Sequence, residues 1–174
     1  MKEVHVRRHA PKVAEGHLTE EGREKARLLQ SQLGTFDLVI ASDKPRAQET
    51  AVLLTGISPV TDSRAAPPAF TAEQERQLHI LGENRPYGIA GVIFDTPEFR
   101  EMIMKKGKAL AELIQGTIEK LQDNQKALII SHDGMMVAAE KILKNDKKEK
   151  AEKTYHPLEG YAVDDQLKIR DLKA

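Results

Sequence analysis

The chain has 174 residues, enough for one domain with its own core and too few for two domains of ordinary size. Lysine plus arginine and aspartate plus glutamate each number 27, so no overall basic field points to nucleic acid or an anionic membrane. There is no cysteine, which excludes disulfides, cysteine-bound zinc and a cysteine nucleophile.

The N-terminus has no apolar stretch before its arginines, and no apolar run is long enough to span a bilayer. The expectation is a cytoplasmic protein with no membrane or nucleic-acid partner. Along the chain, Val4 and Val6 mark a first strand that ends in Arg7-Arg8-His9. Thr19 can cap a helix whose first turn carries Glu20 and Glu21, favourable at the positive helix end. Gly22, Ala26, Leu29 and Leu33 keep its spacing, and Gly34 stops it. Leu38 to Ala41 reads as a buried strand, and Pro45 opens a second helix with Ala47, Ala51 and Leu54 on one face.

From about residue 56 to 95 the pattern weakens, punctuated by Pro59, Pro67, Pro68 and Pro86. This stretch is expected to be an inserted cap with one short helix near Glu73 to Leu81. Thr96-Pro97-Glu98 then starts a helix that runs to about Leu121, with Gly107 as a weak point in its continuity. Ala127 to Ile130 is a further buried strand, followed by a helix through Met135, Ala138, Ala139 and Ile142. Lys144 to Lys153 reads as a solvated charged run, and Tyr161/Val163 with Leu167/Ile169 as a terminal hairpin. Strands alternating with helices predict a single α/β domain over residues 1–174: a mostly parallel sheet with helices on both faces.

Three polar clusters fall at equivalent places, each after a strand and before a helix: Arg8-His9, Ser42 to Arg46, and Ser131 to Gly134. In open α/β sheets that edge binds ligands, and helix N-termini there suit an anion. The guanidinium forks of Arg8 and Arg46 match a phosphate, whose charge near neutral pH is about −1.5 to −2. A charge pair about 4 Å apart is worth roughly 4 kcal/mol at an effective dielectric near 20, so converging arginines favour a bound dianion. Arg7 is read as an outer charge or salt-bridge partner, and His17, His79 and His156 as surface or loop histidines. His5 and His9 cannot share a metal, since four strand residues span roughly 13 Å. No metal site is expected.

These clusters resemble the signatures of the histidine phosphatase superfamily, which includes cofactor-dependent phosphoglycerate mutases. Arg8-His9-Ala10 is similar to its Arg-His-Gly, and Leu18-Thr19-Glu20-Glu21-Gly22 to Leu-Thr-x-x-Gly. Ser42-Asp43-Lys44-Pro45-Arg46-Ala47-Gln48-Glu49-Thr50-Ala51 resembles Ser-x-x-x-Arg-Ala-x-Gln-Thr-Ala, with Glu49 standing between Gln48 and Thr50. Ser131-His132-Asp133-Gly134 resembles Ser-His-Gly-Gly. The resemblance implies a phosphoglycerate mutase-like three-layer α/β/α sandwich and a phosphatase that works through a phosphohistidine. His9 would be the nucleophile; Arg8, Arg46 and His132 would bind the phosphate; neither metal nor cofactor would be needed. The alternatives are mutase-type phosphoryl transfer, a protein phosphohistidine phosphatase, or a non-catalytic phosphate-binding module. The expected substrate is a small phosphorylated metabolite or a phosphoprotein, with inorganic phosphate as product.

The leaving group needs a proton. Leu81 to Gly88 resembles the mutase Leu-Asn-Glu-Arg-His-Tyr-Gly with a one-residue insertion, which implies Glu83 as the acid. Asp133 is the rival, because another branch of the superfamily uses an aspartate after the second histidine. The family's Asn after the first signature is replaced near Glu15, and its Trp-Glu-Gly element is missing.

Overall fold

A computed structural model describes residues 1–174. Its elements are β1 (Glu3–Arg8), α1 (Glu20–Leu33), β2 (Leu38–Ala41), α2 (Pro45–Thr55), β3 (Val60–Thr61), α3 (Ala72–Gly82) and α4 (Gly88–Asp95). They continue with α5 (Pro97–Lys120), β4 (Lys126–Ser131), α6 (Asp133–Leu143), β5 (Gly160–Asp164) and β6 (Ile169–Leu172). The six strands form one sheet in the order β3-β2-β4-β1-β5-β6. β3, β2, β4 and β1 run parallel, and β5 and β6 add an antiparallel flank.

Both faces of the central strands are covered, as their continuous apolar runs require. Alternate residues feed opposite cores: Ala127 and Ile129 pack with α4, α5 and α6, while Leu128 and Ile130 pack with α1 and α2. Thr19 caps α1 by accepting a hydrogen bond from the Gly22 amide. No helix is long and apolar enough to cross a membrane.

Gly107 does not interrupt α5. It lets α5 approach α6, for a Cβ there would stand 2.4 Å from the Ala138 Cβ. At Gly160 a Cβ would fall 1.8 Å from the Val6 carbonyl oxygen, so β5 can lie against β1 only with glycine there. The 56–95 stretch is richer than expected. It adds β3 to the sheet edge, forms α3, and forms α4, which the sequence reading lacks. The terminal hairpin is shifted: Leu167 occupies its turn with φ 59°, and β6 starts at Ile169.

Candidate active site

The register of the sheet brings the polar clusters together. Arg8 of β1 is the parallel partner of Ser131 of β4, so His9 and His132 leave neighbouring strands at the same level. The Ser42 amide, one residue past β2, donates to the Ile130 carbonyl at 3.3 Å, which puts the third cluster beside them. α2 and α6 begin there, so two helix N-termini face the cluster.

The residues of the signatures hold one another. Thr50 accepts from the Ala10 amide at 3.0 Å and donates to the Arg46 carbonyl at 2.7 Å, tying the turn after His9 to α2. Gln48 donates to the Ser42 carbonyl at 2.6 Å, and Ser131 donates to the Ala65 carbonyl at 3.0 Å. The former fixes the Ser42 turn and the latter the segment between β3 and α3.

At the centre, the His9 and His132 rings lie 5.1 Å apart with Arg46 bridging them. His9 Nδ1 is 2.7 Å from the Ala10 carbonyl, which can only accept, so Nδ1 carries the proton and Nε2 the free lone pair. Arg46 Nε donates to that Nε2 at 3.2 Å, and its Nη2 donates to His132 Nδ1 at 3.4 Å. His132 Nε2 then donates to Ser42 Oγ at 2.9 Å. Burial, together with Arg8, Arg46 and Lys12, pushes the His9 pKa down to about 3, against the weaker pull of the Ala10 carbonyl. Burial and the neighbouring His9 and arginines likewise hold His132 well below the usual histidine range. Both rings are therefore neutral near pH 7, and His9 presents a lone pair where an oxyanion would be held.

Arg8 completes the cluster. Its Nη1 donates to the Tyr155 carbonyl at 2.6 Å and stands 4.0 Å from Asp133 Oδ2, while its Nε is buried with no protein acceptor. Asp133, in the first turn of α6, accepts from the Thr154 hydroxyl and from the Tyr155 amide, both at 2.6 Å. Burial raises its pKa, with Arg8 and these two donors pulling the other way.

Arg8, His9, Arg46, His132 and Asp133 all line one cavity of about 710 Å³. The 56–95 stretch forms its far wall: Pro67, Phe70 and Leu78 before or on α3, Ile89 and Ile93 on α4. Lys12 and Glu15 from the β1–α1 loop, and Lys44 before α2, stand at the cavity as well. Glu83 is placed elsewhere. It is exposed just past the end of α3 and does not line the cavity. Eight residues of helix at 1.5 Å each put it about 12 Å along the axis from Glu75, the α3 carboxylate that does line it. His79 also faces the cavity, although its sequence context reads as plain surface.

Arg7 corrects the sequence reading. It is neither an outer charge nor an ion-pair partner: only 3% exposed, it donates to the Leu158 and Lys173 carbonyls at 2.6 and 3.0 Å. Strand alternation turns it to the face opposite Arg8, where the chain end covers it. Two site components had no sequence signal: Glu75, in a stretch of weak pattern, and the Thr154-Tyr155 segment, which lies in an aperiodic connection. No group of three His, Cys, Asp or Glu side chains is arranged to hold a metal ion.

Comparison with known proteins gives the family and the fold. Residues 7–160 match the family model described as "Histidine phosphatase superfamily (branch 1)". No curated protein sequence matches the chain significantly. Among solved structures, the chain is similar to a mycobacterial glucosyl-3-phosphoglycerate phosphatase complexed with VO3, with 18% identity, TM-score 0.68 and coverage of 99% of this chain and 98% of that one. It is similar to phosphoglycerate mutase from Bacillus anthracis, with 16% identity, TM-score 0.65 and coverage of 99% and 92%. It is also similar to a phosphoserine phosphatase from Entamoeba histolytica in complex with phosphoserine, with 17% identity, TM-score 0.58 and coverage of 83% and 81%. At these identities the likeness is one of fold.

Proposed function

The chain belongs to the histidine phosphatase superfamily, branch 1, and from that premise we propose that it hydrolyses phosphomonoesters through a covalent phosphohistidine on His9. The observation that carries this reading is the state of His9: a neutral ring with Nδ1 protonated and Nε2 unprotonated, 3.2 Å from the Arg46 fork.

A phosphoryl group held by Arg8 and Arg46 brings its phosphorus against His9 Nε2. Arg46 Nε turns its hydrogen bond from Nε2 to a phosphoryl oxygen, and the freed Nε2 lone pair forms the N–P bond while the P–O bond to the leaving group breaks and its electrons go to that oxygen. The arginines and the α2 and α6 N-termini stabilise charge on the non-bridging oxygens. His132 can bind a non-bridging oxygen only with Nδ1 protonated, either by taking a proton or by changing tautomer so that the Ser42 hydroxyl donates to Nε2 instead. Water then attacks phosphorus as the N–P bond breaks and its electron pair returns to Nε2; the water's proton goes to the Asp133 carboxylate, which gave its own to the leaving group, and inorganic phosphate is released. All of the charge handling is assigned to protein cations and backbone dipoles, so no metal enters the mechanism.

Asp133 is the proposed proton donor. Its raised pKa keeps more of it protonated than an ordinary aspartate, and it lines the cavity beside His132. Oδ1 accepts from the Tyr155 amide and Oδ2 from the Thr154 hydroxyl; only the hydroxyl can turn to accept instead, so Oδ2 is the oxygen that can carry the proton. Glu83, outside the cavity, is not assigned this role.

The apolar cap wall and a cavity of about 710 Å³ support a small phosphorylated metabolite rather than the phosphate alone. The neighbouring phosphatases named for glucosyl-3-phosphoglycerate and phosphoserine support the same substrate class. The test is release of inorganic phosphate from an aryl phosphate in excess chelator by wild-type protein and by His9→Ala. The expected result is chelator-resistant activity that His9→Ala abolishes. Chelator-sensitive release, or release by His9→Ala, would overturn the mechanism.

A further inference from the structure

The segment between α6 and β5 touches the site at two points through one residue. The Tyr155 carbonyl accepts from Arg8 Nη1, and the Tyr155 amide donates to Asp133 Oδ1, each at 2.6 Å. Its neighbour Thr154 donates to the other Asp133 oxygen. The conformation of this strap therefore sets where the Arg8 guanidinium and the Asp133 carboxyl stand.

The Tyr155 side chain points away from the cavity, into the core. Its hydroxyl donates to Oε2 of Glu140, a residue only 3% exposed. Burial pushes the phenol's pKa up, so the hydroxyl keeps its proton. Glu140 lies two helical turns beyond Asp133 on α6, so a single helix holds the tyrosine at its backbone and at its tip. Lys144 and Lys153 neutralise Glu140 at 2.5 and 3.2 Å, and Lys153 Nζ lies 4.8 Å from the centre of the Tyr155 ring. The Tyr161 ring packs at 5.5 Å.

Burying a carboxyl group costs several kcal/mol unless it is paired, and apolar side chains would fill the same space without that cost. What the polar arrangement supplies is a directional fix for one ring. We propose that Tyr155 is a positioning residue for the phosphate site, holding Arg8 and Asp133 through its backbone, with Glu140 as its anchor. The proposal rests on the assignment of Arg8 to the phosphate. It extends the site to residues that touch no substrate.

The experiment compares Tyr155→Phe with Tyr161→Phe. Tyr161 is equally buried, and its hydroxyl donates to the Met136 carbonyl at 3.3 Å without touching the strap's contacts to Arg8 or Asp133. Orthovanadate affinity and kcat/KM on an aryl phosphate are measured well below each variant's Tm. Misplacing a ligand by a fraction of an ångström predicts about tenfold weaker vanadate binding and about tenfold lower kcat/KM for Tyr155→Phe, with Tyr161→Phe within about twofold of wild type. Glu140→Gln, which keeps an acceptor for the phenol, should retain most activity, and Glu140→Leu should behave like Tyr155→Phe. Added to Arg8→Met, Tyr155→Phe should weaken vanadate binding no further, because the guanidinium whose place it sets is already gone. Unchanged vanadate affinity in Tyr155→Phe, or the same loss in the Arg8→Met background, overturns the proposal. Should wild-type protein bind vanadate with this Tyr155 dependence yet hydrolyse nothing, the hydrolase reading falls and the positioning role stands. Failure of wild-type protein to bind vanadate overturns both.

Discussion

Arg46 donates to His9 Nε2 at 3.2 Å with one arm and to His132 Nδ1 at 3.4 Å with another. One planar guanidinium thus spans both histidines, and it can do so only because each offers an unprotonated nitrogen. Thr50 holds the Arg46 backbone carbonyl and the Ala10 amide together, so Arg46 and the turn after His9 share one support.

Lysine cannot reproduce that fork. Arg46→Lys should keep the fold, with a Tm close to wild type, and lower kcat/KM on an aryl phosphate by about 10²–10³-fold, as removal of a preorganised oxyanion donor does. Steady-state kinetics beside a thermal melt separates the two effects. Undiminished kcat/KM would mean that a point charge suffices there.

The proton donor is found by changing the leaving group. Asp133→Asn should cost an alkyl phosphate about 10²-fold or more in kcat and an aryl phosphate much less, since only the poor leaving group needs the proton. Glu75→Gln and Glu83→Gln should leave that ratio unaltered. In wild type, activity on the alkyl substrate should decline as pH rises through the raised Asp133 pKa, because the acid is active when protonated. His9, unprotonated above about pH 3, should add no acidic limb near neutrality. An Asp133→Asn profile that keeps the alkaline decline would remove Asp133 from the role.

Stability should carry the signature of the buried neutral histidine. An unfolded histidine takes up its proton near pH 6.5, whereas His9 in the fold resists to about 3. Between those values the unfolded state binds more protons, so stability is complete above about 6.5 and is lost as pH falls. His132, also lowered, acts in the same direction, and Asp133, raised, opposes them below the point where it gains its proton. Urea melts from pH 7 to 5 should show a slope that is shallower in His9→Asn by up to about 1.4 kcal/mol per pH unit, the contribution of one proton. Identical slopes would mean that His9 is not held neutral by burial.

Gly107→Ala sets helix propensity against packing. Alanine favours a helix interior by about 1 kcal/mol, but its Cβ would stand 2.4 Å from that of Ala138. At that overlap packing wins, and a loss of about 1–3 kcal/mol is expected in denaturant melts. Because α6 begins at Asp133, activity should fall with it. A gain in stability would show that α5 and α6 can part without strain.

Local chemistry made much of this legible. Thr19, Pro45 and Thr96-Pro97 mark helix starts, and the runs at 38–41 and 127–130 mark strands, because caps and apolar runs act over a few residues. Arg8, His9, Arg46 and His132 converge because each ends a strand or lies within a few residues past one, and parallel register does the rest. α4 stayed hidden because nothing polar caps it: Tyr87 enters it with φ 65°, and Gly88 to Asp95 is nearly all apolar. Glu83 lies outside the cavity because it stands about two helical turns beyond Glu75, the α3 carboxylate that lines it. The strap was silent because it acts through the backbone of Tyr155, and backbone groups leave no mark on residue identity. The burial of Arg7 depends on Leu158 and Lys173, more than 150 residues away, and no local pattern encodes that.

The bond between phosphorus and His9 Nε2 is the central step of the proposed function. Wild-type protein should be mixed with an aryl phosphate in chelator, quenched rapidly in alkali, which preserves phosphohistidine, and mapped by mass spectrometry. The prediction is a phosphoryl adduct on the peptide containing His9, formed as fast as the aryl alcohol is released in the first turnover and absent from His9→Ala. Release of the alcohol with no adduct at any time point, or an adduct that persists in His9→Ala, would contradict it.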